Sequence, residues 1–139
     1  MNNKALATGI LCCLLSGFST AEVMVVTHAK SDIAAVDMAA LKKLFLGKTA
    51  KLKGKKVRPV TLPDTNAIKV EFDSKVVGKD PGKMKAYWAN RIFTGKGRPL
   101  DQVSSEEAML VWLSENKNSI GYMSADSISS KVKVLLTIP

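Results

Sequence analysis

Strand-like and helix-like periodicities alternate along this chain from Glu22 to Ile138, and that alternation restricts it to a layered α/β architecture. Glu22 to Thr27 reads as a buried strand, because Val23-Met24-Val25-Val26 is continuous and apolar. Asp37 is placed to cap a helix whose Met38, Leu41, Leu44 and Phe45 share one face, and Gly47 ends it. Lys48 to Lys56 reads as a polar, lysine-rich loop, and Val57 to Leu62 as a second strand broken by Pro63-Asp64. A second helix is expected from about Thr65 to Val77, with Ile68, Phe72 and Val76 on one stripe and Gly78 closing it. Asp80-Pro81 supplies a cap followed by proline at the first helical position. Met84, Trp88 and Ile92 then recur every four residues until Thr94-Gly95, and Lys96 to Leu100 is loop. Ser104-Ser105-Glu106-Glu107 reads as a capping box, opening a helix that turns Met109, Trp112 and Leu113 inward. Strands follow at Ser119 to Ser124 and Val132 to Ile138, the latter alternating Val132, Val134, Leu136 and Ile138. The expected fold is a single-lobe α/β sandwich of about four strands and four helices, without repeats or low-complexity tracts.

The first 21 residues carry the marks of an export signal. Asn2 to Lys4 is a short basic start, Ala5 to Phe18 is an apolar run, and Ser19-Thr20-Ala21 offers small residues for cleavage before Glu22. The apolar run is short for a bilayer span, so residues 1–21 are expected to be a cleaved signal peptide and 22–139 a periplasmic domain, not membrane-spanning. Both cysteines, Cys12 and Cys13, fall in the leader, so the remaining domain has neither thiol nor disulfide and folds on its core alone. Ile10 and Leu11 precede them where lipidation wants small residues. Loss of Lys4 takes Lys+Arg from 21 to 20 against 12 acidic residues, a net charge of +8. Such a surface attracts anions at long range: phosphate, lipid headgroups, cell-wall polymers or DNA. Six basic residues fall between Lys48 and Arg58, yet no aromatic interleaves them, so specific nucleic-acid binding by base stacking is not supported.

No catalytic constellation emerges. Gly47-Lys48-Thr49 lacks the earlier glycine of a P-loop, and a helix precedes it instead of following. Ser114-Glu115-Asn116-Lys117 has the spacing of a penicillin-binding serine and lysine, but the companion motifs are missing. His28 is the only histidine; without cysteine no zinc set forms, and it reads as a rim residue at the end of the first strand. The segment Leu62-Pro63-Asp64-Thr65-Asn66 carries the most chemistry. Backbone N–H groups at a helix start bind anions, Thr65 and Asn66 add donors, and Lys69 lies one turn on. Asp64 opposes this, since its carboxylate can serve as a cap and repel an anion.

Three motifs in order carry a family resemblance: Leu44-Phe45-Leu46-Gly47, the strand and helix from Val57 to Val77, and Ile120-Gly121-Tyr122. Together they resemble the periplasmic phosphate-binding proteins of ABC transporters, in a small, one-lobe form. The resemblance implies a non-enzymatic, periplasmic-binding-protein-like domain without a cofactor. It would bind phosphate or a related oxyanion and work with an ABC permease. The family's ligand arginine and its Ser-Gly-Thr-Arg helix start fall here on Leu62 and on Asn66-Ala67-Ile68-Lys69, and its glycine-serine phosphate loop is replaced by His28-Ala29-Lys30-Ser31. The resemblance points to Asn66 and Lys69 as ligand residues, with His28 and Ser31 in the replaced loop; the helix-start reading adds Thr65. The alternative is a cell-envelope interaction module that keeps the fold without phosphate binding, docking another envelope protein through its basic face.

Overall fold

A computed structural model describes residues 22–139; the expected signal peptide lies outside them. The chain runs β1 Val23–His28, α1 Met38–Phe45, β2 Lys51–Leu52, β3 Lys55–Lys56, β4 Arg58–Thr61 and α2 Ala67–Phe72. A single π-helical turn, Asp73–Val77, continues α2. Then come α3 Pro81–Phe93, β5 Asp101–Gln102, α4 Glu106–Glu115, β6 Ser119–Ser124, a 3-10 turn at Ala125–Ser127 and β7 Val132–Ile138. Five strands form one mixed sheet in the order β5-β4-β6-β1-β7. β4 runs parallel to β5 and β6, whereas β1 runs antiparallel to both β6 and β7.

The expected α/β sandwich is present, and local chemistry explains its helices. Asp37 Oδ1 accepts from the Ala40 N–H, and Asp80 Oδ1 accepts from the Lys83 N–H ahead of Pro81. Gly78 ends the π turn in the left-handed region at φ 74°, which glycine enters without a Cβ clash. α1 and α2 cover the sheet face that carries Tyr122, where Phe45 and Phe72 meet its ring. α4 covers the opposite face, with Met109 and Leu113 over Gly121. The core between them holds Val25, Val26, Leu41, Leu44, Val60 and Ile120, all fully buried.

Four expectations are corrected. The Lys48 to Lys56 loop contains the β2–β3 hairpin, pairing Lys51 with Lys56 and burying Leu52. Both of its turn residues, Lys53 and Gly54, have positive φ (48° and 80°), the geometry of a tight two-residue hairpin turn. Of the expected α3 stripe only Met84 is buried; Trp88 packs partly against the core and Ile92 is 47% exposed, as α3 lies against the end of α1. Trp88 and Trp112 are half-buried, Trp112 beneath the Arg58 guanidinium at 5.1 Å from its ring. Finally, Ser105 and not Ser104 caps α4, accepting from the Ala108 N–H. The third helical residue is then Ala108, which has no side-chain acceptor, so no reciprocal capping box forms; Glu106 Oε1 instead accepts from the Ser124 N–H.

Gly121 shows why the Ile-Gly-Tyr strand matters. A Cβ there would stand 2.6 Å from Met109 Sδ and 3.1 Å from Val60 Cγ1. Gly121→Ala should therefore force α4 away from the sheet and cost roughly 1–3 kcal/mol, the usual penalty of overpacking. Chemical denaturation of the variant checks this, and an unchanged midpoint would refute it.

Candidate functional site

The chemistry converges where β4 runs out into α2. Thr61 Oγ1 and the Tyr122 hydroxyl lie 2.7 Å apart, and the same hydroxyl accepts from the Leu62 N–H at 3.2 Å. Burial pushes the Tyr122 phenol up from its ordinary value despite these bonds, so the ring is a neutral structural post. The chain then turns through Pro63, whose carbonyl accepts from the Asn66 N–H. Asn66 caps α2, its Oδ1 accepting from the Ile68 N–H at 2.9 Å.

One turn on, Lys69 is buried, with 7% of its surface exposed. Its Nζ donates to Asp73 Oδ2 at 2.5 Å and lies 3.4 Å from Asp64 Oδ1. Asp73 is equally buried, whereas the Asp64 side chain is 74% exposed. The burial has a structural cause. The α2 segment is enclosed on two sides, so two adjacent columns turn inward: Ile68, Phe72 and Val76, then Lys69, Asp73 and Val77. A lysine inside needs a partner, and the i,i+4 spacing supplies Asp73.

Burial raises the Asp73 carboxyl above its ordinary value of 3.8; the hydrogen bond and charge of Lys69 pull it down, and Asp64's charge pushes it up again. The linkage sign follows. The folded state holds this proton to higher pH than the unfolded chain, so the group's contribution is full below about 3.8 and is lost as pH rises through the folded value. Between pH 4 and 7 the parent should thus lose stability with rising pH relative to Asp73→Asn. Thermal melts of both proteins across that window test it; parallel profiles would contradict the assignment.

Lys69, Asp64 and Asp73 form the charged end of a cavity of about 330 Å³. Its other walls are Phe45, Met84, Trp88, Ile92 and Leu100, with Lys85 at the rim. α3 supplies most of this wall, and it is held in place by an unforeseen latch. Arg91 Nη2 donates to the Gly47 carbonyl at 2.6 Å, and the Tyr87 hydroxyl donates to the Leu46 carbonyl at 2.7 Å. Gly47 and Gly97 give the room: a Cβ on Gly47 would meet the Trp88 ring at 2.9 Å, and one on Gly97 would meet Arg91 Nε at 2.8 Å. The two Phe-x-Gly-Lys segments visible in the sequence, around Phe45 and Phe93, are thus joined through this contact.

The structure brings Thr65, Asn66 and Lys69 to this end of the sheet. It places His28 and Ser31 at the other end. β1 runs against β4 and β6, so His28 sits beside the start of β6, where Thr27 Oγ1 donates to the Ser119 carbonyl. β1 alone spans about 17 Å at about 3.3 Å per residue, so one small ion does not touch both groups. His28 Nδ1 accepts from the Lys30 N–H, and Ser31 Oγ from the Ile33 N–H, which makes both loop-shaping residues. Sequence reasoning missed Asp73, Thr61 and the α3 wall; the i,i+4 partner of Lys69 was the available signal.

No protein-family model and no curated protein matches the sequence. Solved structures do match. An ABC-type phosphate transport receptor from Vibrio cholerae superposes with a TM-score of 0.64 at 17% identity, covering 83% of this chain and 46% of that one. A putative phosphate ABC transporter substrate-binding protein from Clostridium perfringens, with bound phosphate, gives 0.65 at 16% identity over 83% and 45%. PstS from Borrelia burgdorferi gives 0.58 at 18% identity over 83% and 47%. The chain therefore has the fold of phosphate ABC transporter substrate-binding proteins, as one lobe. It spans less than half the length of these relatives in structure. Among the described residues no helix is long and apolar enough to cross a membrane, and no group of three His, Cys, Asp or Glu side chains is placed to hold a metal.

Proposed function

We propose that this chain is a non-enzymatic, periplasmic solute-binding-type domain that takes phosphate or a related oxyanion at the mouth of the cavity, with a role beside an ABC permease. The observation that carries this reading is the buried ammonium of Lys69 at the polar end of an open cavity. It stands on a fold whose neighbours include one solved with bound phosphate. Thr65 and Asn66 follow Asp64 in the turn before α2, and their hydroxyl and amide N–H groups would add hydrogen bonds to an anion held there. The two carboxylates beside Lys69 narrow the choice of anion. A carboxylate repels a fully deprotonated dianion but accepts a hydrogen bond from an oxyanion that still carries a proton, as phosphate does near neutral pH.

Calorimetric titration with phosphate and sulfate tests the reading. A charge-assisted hydrogen bond is worth about 1.5–3 kcal/mol, so phosphate should bind about tenfold or more tighter than sulfate. The double variant Lys69→Met/Asp73→Leu should bind neither. Parent protein that takes up no phosphate would sink the proposal.

A second reading rests on the same ion pair. The charge of Lys69 is already matched by Asp73 and Asp64, which favours an envelope interaction module that keeps the fold without phosphate. Its docking surface would be the exposed β2–β3 hairpin, and charge reversal at Lys53, Lys55 and Lys56 should then abolish partner association.

A further inference from the structure

The cavity is larger than an oxyanion needs. At about 30 Å³ per water, its 330 Å³ equals roughly ten waters, and it sits within the size range of sites for whole organic ligands. Its charges also sum to zero: Lys69 and Lys85 against Asp64 and Asp73. A bare dianion entering it gains from one pair and loses to the other. A ligand carrying both signs gains at both ends.

We propose that the ligand is a small zwitterion, an aminoalkyl phosphate or phosphonate, with its oxyanion on Lys69, its ammonium on Asp64 and its methylenes along Trp88. The inference rests on the oxyanion reading above and names the ligand class for that site. Three observations support it. Asp64 is the loosely held partner of Lys69, at 3.4 Å with a side chain 74% exposed, whereas Asp73 is buried and closer at 2.5 Å. Asp64 can therefore swing off the lysine while Asp73 stays. Inserting the zwitterion between Lys69 and Asp64 exchanges one long ion pair for two charge-assisted ones. Much of the remaining wall is apolar, built from Trp88, Ile92, Met84 and Leu100, and it covers a short alkyl linker, with Lys85 only at the exposed rim.

The chemistry is shared by a free solute and by the headgroup of an aminoethyl phospholipid. The experiment compares phosphoethanolamine, ethyl phosphate and inorganic phosphate by calorimetry. It adds co-sedimentation with phosphatidylcholine vesicles made with and without phosphatidylethanolamine. Phosphoethanolamine should bind at least tenfold tighter than ethyl phosphate, and Asp64→Asn, at an exposed position, should collapse that margin. Binding to the free compound but not to vesicles identifies a soluble ligand. Binding to phosphatidylethanolamine vesicles that is lost in Asp64→Asn identifies the headgroup, and either result upholds the zwitterion site. Equal affinities for phosphoethanolamine and ethyl phosphate overturn the zwitterion while leaving the oxyanion reading standing. Failure of all three compounds and of the vesicles removes both.

Discussion

Lys69→Ala should destabilise the domain by about 3–5 kcal/mol at pH 7, the cost of leaving one member of a buried ion pair alone. The stripe Ile68, Phe72, Val76 puts Lys69 on the outside, and truncation there would be harmless. With Lys69 only 7% exposed and Asp73 5% exposed, it is not. The variant strands a carboxylate in a site that already resists ionisation. The defect should therefore shrink as the pH falls, because burial favours the protonated form of Asp73. Lys69→Met/Asp73→Leu should recover most of the loss, since hydrophobic replacement of a buried pair is often neutral or stabilising. Urea denaturation of the three proteins at pH 7 and pH 4 measures this. A single variant as stable as the parent at pH 7 would show that the pair is not buried in solution.

Phe72→Ala should cost a similar amount, about 3–5 kcal/mol, out of the roughly 5–15 kcal/mol that holds a domain of this size together. Phe72 is fully buried. Its ring stacks on Tyr122 at 4.0 Å with 5° between planes, and Phe45 meets it edge-on at 4.7 Å. The three rings join α1, α2 and β6, so their loss loosens three elements together. At a few degrees per kcal/mol, the thermal midpoint should fall by roughly 10–20 °C. A fall of less than a few degrees would mean that the cavity collapses easily and that the aromatic cluster is not the centre of the core.

Much of this architecture was legible because it is written locally. Asp37, Asp80-Pro81, Gly47 and Gly78 mark helix ends by hydrogen bonds and dihedral angles that depend on near neighbours, and all four act as expected. The four long strands were legible for the same reason. The two-residue strands β2, β3 and β5 were not, since two residues carry no alternation to read. Strand direction was hidden as well: nothing local to Val23–His28 says that it runs against β6, and that orientation separates His28 and Ser31 from Lys69. The burial of Lys69 and Asp73 was obscured because lysine and aspartate are rarely interior. Only the packing on both sides of α2 turns a second column of that helix inward.

The place of β1 in the sheet has a consequence in time. Its neighbours are β6 and β7, so Val23 pairs with Ser124 and Ile138, and no strand earlier than Ser119 pairs with it. During synthesis at about 5–20 residues per second, this apolar strand waits roughly 5–20 s for its first partner. Helices α1 to α4 can form meanwhile, but β1 is not flanked on both sides until β7, the last segment, arrives. Contacts of such long sequence separation fold slowly and leave Val-rich backbone exposed in the interval. Until β6 and β7 have been made, the chain holds an unpaired apolar strand at its start, so the order of synthesis leaves its most hydrophobic backbone without partners for longest.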